Sequence, residues 1–215
     1  MRSAATWAKI IIALLVILLL AGVFALRSIT RAALPDYEGE VRLPGADGRI
    51  EIIRDEFGIP SIFASTDEDL VRAQGYVHAQ DRFFQMDYRR HVTAGRLSEL
   101  VGDNEQARQA DIVIRAMGWR DIATEEWERL DEETRGIYEA YAEGVNAYLA
   151  ERSGPELALE YRVLGLSHDL PDIEPWDPVD SLAWLKAMAW DLKNNLDEET
   201  ARVRAYAAIG DAERV

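Results

Sequence analysis

Seventeen consecutive residues, Ile10 to Leu26 (IIIALLVILLLAGVFAL), carry no charge and no strongly polar group. Helices buried inside domains are seldom this apolar over such a length. At about 1.5 Å per residue the run reaches the lower limit for crossing the hydrocarbon core of a bilayer, and it exceeds most signal-peptide apolar regions. It predicts an uncleaved transmembrane or signal-anchor helix. The alternatives are a helix buried in a domain core and a cleaved signal, since Val23 and Ala25 are small enough to precede a cut after Ala25. Arg2, Lys9 and the terminal amine face Arg27 and Arg31 across the run, a balance that slightly favours the N-terminus inside and the rest outside.

That run divides the charge. Met1 to Pro35 contains four basic residues and no acid, which leaves 20 basic and 39 acidic residues in the remainder, a formal −19. So acidic a body is a poor partner for nucleic acid, because phosphate binding needs clustered Lys and Arg. The absence of cysteine excludes disulfides, thiolate metal sites and a Cys nucleophile from this chain. We divide the chain into a basic segment (1–9), the anchor (10–26), a tether (27–48) broken by Pro35, Gly39, Pro44, Gly45 and Gly48, and a body (49–215).

The body opens on RIEII and IPSIFA, short β-branched segments around RDEFG, which predict a hairpin with Gly58 at positive φ. Thr66 is the N-cap of a long helix to about His91, with Leu70, Ala73, Val77, Phe84 and Tyr88 as its apolar stripe and Arg72, Asp81, Arg82 and Arg89 off it. GRLSEL suggests one further turn, and short helices are expected between Asp103 and Arg129. A helix follows Asp131, carrying Ile137, Tyr141, Val145, Tyr148 and Leu149, and ends at Gly154 and Pro155. Asp177 as N-cap, Pro178 and Asp180 start another, with Trp184, Leu185, Met188 and Leu192 on one face, before a last helix to Ile209. The class is α+β and mostly helical. Two strands cannot make a self-sufficient sheet, so the pattern predicts part of something larger.

Few residues suggest chemistry of their own. His78 and Asp81, at i and i+3, could share a helix face as an acid–base or metal pair. The commoner reading of such a histidine is a surface or interface residue satisfied by a neighbour. Ser61, Ser65, Ser98 and Ser181 have neither a G-x-S-x-G setting nor an adjacent base. Asp197, Glu198 and Glu199 open the last helix, where carboxylates complement the helix dipole or supply part of the six to eight oxygens that calcium takes.

The segment IEIIRDEFGIPSIFASTDEDLVRAQGYVHAQDRFFQMDYRRHVTAGRLSELVG, followed in order by YAEGVNAYL, LEYRVLG, EPWDPVDSLAWLKAMAWDL and DEE, resembles the N-terminal part of the penicillin acylase family of N-terminal-nucleophile hydrolases. The likeness runs from about Ile50 to beyond Glu199. It implies the α chain of a self-cleaving precursor in an αββα sandwich, whose β chain brings the remaining strands and an N-terminal Ser nucleophile with its α-amine as base. No catalytic residue falls within this chain on that reading. The resemblance assigns Met188, Asp191 and Leu192 to substrate binding. Met188 aligns with a pocket methionine, Leu192 with a position often aromatic and Asp191 with one sometimes Arg, departures that bear on acyl preference. It also makes Glu198, ten residues past Met188, the one calcium ligand from this chain. The expected activity is hydrolysis of linear amides, of β-lactam side-chain or N-acyl homoserine lactone type. The expected location is the cell envelope, with the body outside the cytoplasmic membrane. The alternative is a truncated, catalytically silent fragment or interaction module that keeps the α-chain shape.

Overall fold

The computed structural model describes residues 4–150, 152–192 and 195–210. The apolar run forms the middle of α1 (Ala4–Ala32). Arg27–Ala32, expected within the tether, continues this helix, and Thr30 Oγ1 donates back to the carbonyl of Leu26 at 3.0 Å.

From Asp36 onward the tether lies on the body. The Asp36 carbonyl accepts from Gln80 Nε2 at 2.8 Å, Leu43 packs against the core, and the amides of Asp47 and Gly48 donate to the Asp69 carboxylate at 3.2 and 3.1 Å. The hairpin then forms as its turn chemistry requires. Strands β1 (Glu51–Arg54) and β2 (Pro60–Phe63) pair antiparallel with Ile52 opposite Ile62. Asp55 Oδ1 accepts from the amides of Phe57 and Ile59, and Gly58 takes φ 77°.

The helices are α2 (Asp67–Thr93), α3 (Leu97–Val101), α4 (Glu105–Met117), α5 (Trp119–Arg129), α6 (Glu132–Leu149), α7 (Gly154–Leu157), α8 (Leu159–Leu164), α9 (Pro178–Leu192) and α10 (Leu196–Ile209). Thr66 caps α2 by accepting from the Asp69 amide, and Asp131 caps α6 by accepting from the Thr134 amide. Asp177 accepts from the Val179 amide while the Asp180 carboxylate accepts from the Asp177 amide, a reciprocal start to α9.

The centre of the body is the crossing of α2 and α6. A Cβ on Gly75 would lie 2.2 Å from the Tyr141 carbonyl oxygen, and one on Gly144 would lie 1.8 Å from that of Arg72. The two backbones touch where each helix lacks a side chain, which brings Tyr76, Phe83, Val145 and Tyr148 into one core with Leu100, Leu157, Tyr161 and Trp176. A smaller cluster, Ala123, Val179, Leu182 and Ala183, joins α5 to α9.

Two stripes differ from expectation. On α2, Leu70 is exposed while Arg72 is buried. The Arg72 guanidinium is neutralised by Asp69 at 2.8 Å and Glu143 at 2.9 Å, so the charge enters the interface already paired. On α9 the side turned inward is Val179, Leu182, Ala183 and Ala187, whereas Leu185, Met188 and Leu192 face outward. The small residues let α9 approach α5, and the larger ones are left on its other side.

Gly144→Ala places a methyl group into backbone that cannot yield without parting the helices. We expect a loss of about 1–3 kcal/mol, read as a lower denaturation midpoint of the full-length protein, whereas Gly136→Ala, where nothing lies within 4 Å, leaves it unchanged or raised.

Candidate functional site

Below the α2–α6 crossing, three polar side chains are buried together. Asp87 is 1% exposed and accepts from Arg90 Nε at 2.7 Å and from Tyr161 OH at 2.6 Å. His91 Nδ1 lies 2.8 Å from the Asp87 carbonyl and 3.2 Å from its carboxylate. Both neighbours are acceptors, so Nδ1 carries the hydrogen. Burial pulls the Asp87 carboxyl upward, but the His91 hydrogen bond, the Arg90 charge and the Tyr161 hydroxyl outweigh it and hold the group below the usual range. Burial likewise pulls His91 down, and its hydrogen bond to and attraction by Asp87 outweigh that and raise it.

Arg90 also donates to the Pro175 carbonyl at 3.0 Å and approaches Asp180, which Arg120 engages directly. Asn146 on α6 completes the fastening: it donates to the Trp176 carbonyl at 3.0 Å and accepts from the Trp176 amide at 2.7 Å. This network fixes the start of α9 against α2 and α6. Both oxygens of Asp87 and of Asp180 accept hydrogen bonds, which suits a fastening.

Beside it a groove of about 700 Å³ runs between α2, α6 and α9, walled by Gln74, His78, Arg82, Arg89, Tyr141 and Trp184 among others. His78 and Asp81 do not pair: His78 Nδ1 lies 2.9 Å from Tyr141 OH, and Asp81 is held by Arg54 at 2.9 and 3.0 Å. Burial, only partly opposed by Asp81, lowers the His78 pKa, and burial pushes Tyr141 up to about 12. At neutral pH the pair is therefore an uncharged hydrogen bond. Arg89 stacks on Trp184 with its guanidinium carbon 4.6 Å from the ring centre.

Two of the four candidate nucleophiles, Ser98 and Ser181, have other partners. Ser98 Oγ donates to Asp111 at 2.6 Å and Ser181 Oγ accepts from Trp176 Nε1 at 3.1 Å. One Ser–His contact was not expected, Ser167 Oγ to His168 Nδ1 at 3.0 Å, but Ser167 also donates to the Leu164 carbonyl and His168 Nε2 is engaged by that of Leu100. Neither arrangement leaves a base oriented by a carboxylate.

Met188, Asp191 and Leu192 lie on the outer side of α9 beyond Trp184, Met188 at 40% exposure and Leu192 at 78%. Four-residue steps from Trp184 to Met188 to Leu192 keep these three on one face. Glu198 is exposed in the first turn of α10. Among the described residues no three His, Cys, Asp or Glu side chains converge as a metal site requires. Lys193 and Asn194, which precede that turn, lie outside the described residues.

Among the described residues the body is mostly helical, with one hairpin and an outward apolar face on α9. The penicillin amidase family model matches residues 49–215, and the chain belongs to that family. It is 40% identical over 162 residues to penicillin acylase 2 proenzyme of Pseudomonas sp. (strain SE83), which covers 75% of this chain and 20% of the relative. It is 32% identical over 178 residues to acyl-homoserine lactone acylase QuiP of Pseudomonas aeruginosa, covering 83% and 20%. A solved thermostable penicillin G acylase from Alcaligenes faecalis superimposes with a TM-score of 0.62 at 29% identity, over 77% of this chain and 86% of the solved one. The chain thus spans about a fifth of the length of the curated relatives it matches.

Asp87→Asn in the full-length protein removes the charge opposite Arg90 and keeps one acceptor oxygen where Arg90 and Tyr161 use two, and should cost about 3–5 kcal/mol in a denaturant titration. Opposed pH limits accompany it. The His91 contribution is complete below the unfolded value near 6.5 and fades as pH rises through the raised folded value, while that of Asp87 is present above about 3.8 and fades as pH falls through its depressed one. Stability should therefore decline as pH rises above about 6.5, and His91→Gln should flatten that limb.

Proposed function

We propose that this chain is the α-chain part of an autoprocessed amidohydrolase that cleaves linear amides. The observation that carries the reading is the family match across the whole body, on a chain that spans a fifth of its acylase relatives. On this reading a β chain from the same precursor supplies an N-terminal Ser. Its hydroxyl attacks the amide carbonyl while its own α-amine takes the proton, the amine product leaves, and water hydrolyses the acyl-enzyme. The word proenzyme in the name of one relative supports processing. The β chain would also extend the isolated hairpin into the sandwich, which accounts for the exposed apolar side chains of both strands. The acylase relatives favour an enzyme over a silent fragment.

The outward face of α9 is the wall of this chain best placed to meet an acyl group, with Met188 and Leu192 as apolar contacts and Asp191 at its edge. β-Lactam side-chain amides and N-acyl homoserine lactones are the substrate classes that the relatives' names suggest. Met188→Ala should change the ranking of acyl chains in the full-length enzyme by about tenfold in kcat/KM between best and worst affected; an equal loss for every substrate would indicate folding damage. A full-length protein inactive on both aromatic and aliphatic acyl panels would overturn the proposal.

Glu198 is the residue of this chain that would hold calcium. One exposed carboxylate falls far short of the oxygens the ion needs, so the other ligands would come from the β chain, and the ion would join the two chains. Glu198→Gln should abolish the rise in thermal stability on adding calcium to the assembled protein, whereas an unchanged rise would return Glu198 to a helix-start role. We further propose that α1 anchors the body to the outer face of the cytoplasmic membrane; retention in the membrane fraction after alkaline carbonate washing tests this.

A further inference from the structure

We propose that the hairpin tip is a second membrane contact: Phe57, with Ile59 beside it, rests in the interface of the bilayer that α1 crosses. The inference depends on the anchor reading above and goes beyond it, because a simple tether would leave the body free.

Its basis is how little chain is loose. α1 ends at Ala32, the amides of Ala33 and Leu34 still bond back to Thr30 and Arg31, and the Asp36 carbonyl is already held by Gln80 of α2. From Ala32 to Asp36 the reach is at most about 14 Å at full extension. The interfacial layer on each side of a bilayer is about 5–7 Å deep, and the six helical residues after Leu26 add about 9 Å, so the part of the body nearest Asp36 is held within about 23 Å of the end of the apolar run.

That part is the hairpin turn. The Arg54 guanidinium carbon sits 4.2 Å from the centre of the Tyr37 ring, and its Nη1 donates to the Gly58 carbonyl at 2.9 Å. One side chain therefore clamps the strap to the turn. At this clamp Phe57 is 80% exposed, Ile59 61% and Tyr37 56%. Phe57 belongs to a turn held by Asp55, so its exposure comes with a fixed backbone. An aromatic wedge beside an aliphatic neighbour, continuous with a spanning helix, suits the boundary between headgroups and acyl chains. Asp36, Glu38, Glu40, Asp55 and Glu56 surround it in sequence. The lipid it fits is therefore zwitterionic, since anionic headgroups would repel these carboxylates.

The test uses the full-length protein in phosphatidylethanolamine–phosphatidylcholine vesicles. A fluorophore is placed at Phe57→Cys or, for comparison, at Leu166→Cys, which is 88% exposed after α8; this chain has no native cysteine to compete. Lipids spin-labelled near the headgroup should quench the label at 57 by roughly twofold or more and leave that at 166 unaffected, as expected for a group about 5–10 Å into the interface. Inserting ten Gly and Ser residues between Leu34 and Pro35 adds a reach of roughly 18 Å and should remove the quenching. Quenching at 57 only by aqueous iodide, in protein that resists carbonate, would overturn the contact while leaving the anchor standing. Protection from both quenchers would mean that the rest of the protein covers the turn, and would also overturn it. Release of the protein by carbonate would overturn both the anchor and the contact.

Discussion

The approach of two backbones at Gly75 and Gly144 sets the geometry on which the rest of the body depends. Because Tyr141 and Arg72 carbonyls occupy the space where side chains would begin, α2 and α6 are closer than side-chain packing alone allows. At that separation Tyr76 meets Tyr148 edge to face at 5.4 Å. Arg72 reaches across to Glu143, and Asn146 reaches the Trp176 backbone. Asp69 and Arg72 are buried at the crossing, so their attraction acts in a medium that screens it less, whereas Glu143 closes the pair from the exposed side.

The second constraint is polar. Asp87 gathers donors from its own helix and from α8, and Arg90 extends the connection to the loop before α9. Directional bonds fix an angle where apolar contact alone would permit sliding. α9 is therefore set at its start, where Asp177, Asp180 and Trp176 converge. Its apolar outer face stays exposed, as do Ile52, Ile53 and Phe63 of the hairpin, and no described residue of α10 is buried.

Much of this was legible from the residues. Thr66, Asp131 and Asp177 marked helix starts because each cap needs an oxygen at one position, and Gly58 marked the turn because the loop needed positive φ. Periodicity placed α6 well, since Val145 and Tyr148 face the core. On α2 it held for Ala73, Val77, Phe84 and Tyr88 but failed at Leu70 and Arg72, and it misplaced α9, for different reasons. Arg72 is buried by partners that lie at Asp69 and on another helix, and pattern alone cannot supply the second. On α9, size was mistaken for burial: the alanines are inside because a close neighbour leaves no room for more. Gly75 and Gly144 read as ordinary glycines in helices, although Gly in a helix interior costs about 1 kcal/mol and asks for a packing reason. The i, i+3 spacing of Asp87 and Arg90 was a visible sign of the buried network, but Tyr161, which completes it, lies 74 residues away. The family was legible because its motifs occur in order across the body. Active chemistry was not, because no nucleophile and base meet among the described residues.

The grip of Asp69 on Asp47 and Gly48, with that of Gln80 on Asp36, has a mechanical meaning. Both receiving side chains belong to α2, and the hairpin follows the gripped segment in the chain. A pull arriving from α1 therefore loads hydrogen bonds to the helix at the centre of the core before it loads the two-stranded ladder. The thinnest element of the body is shielded from drag by its central helix, and tension ends at α2 instead of unzipping the strands.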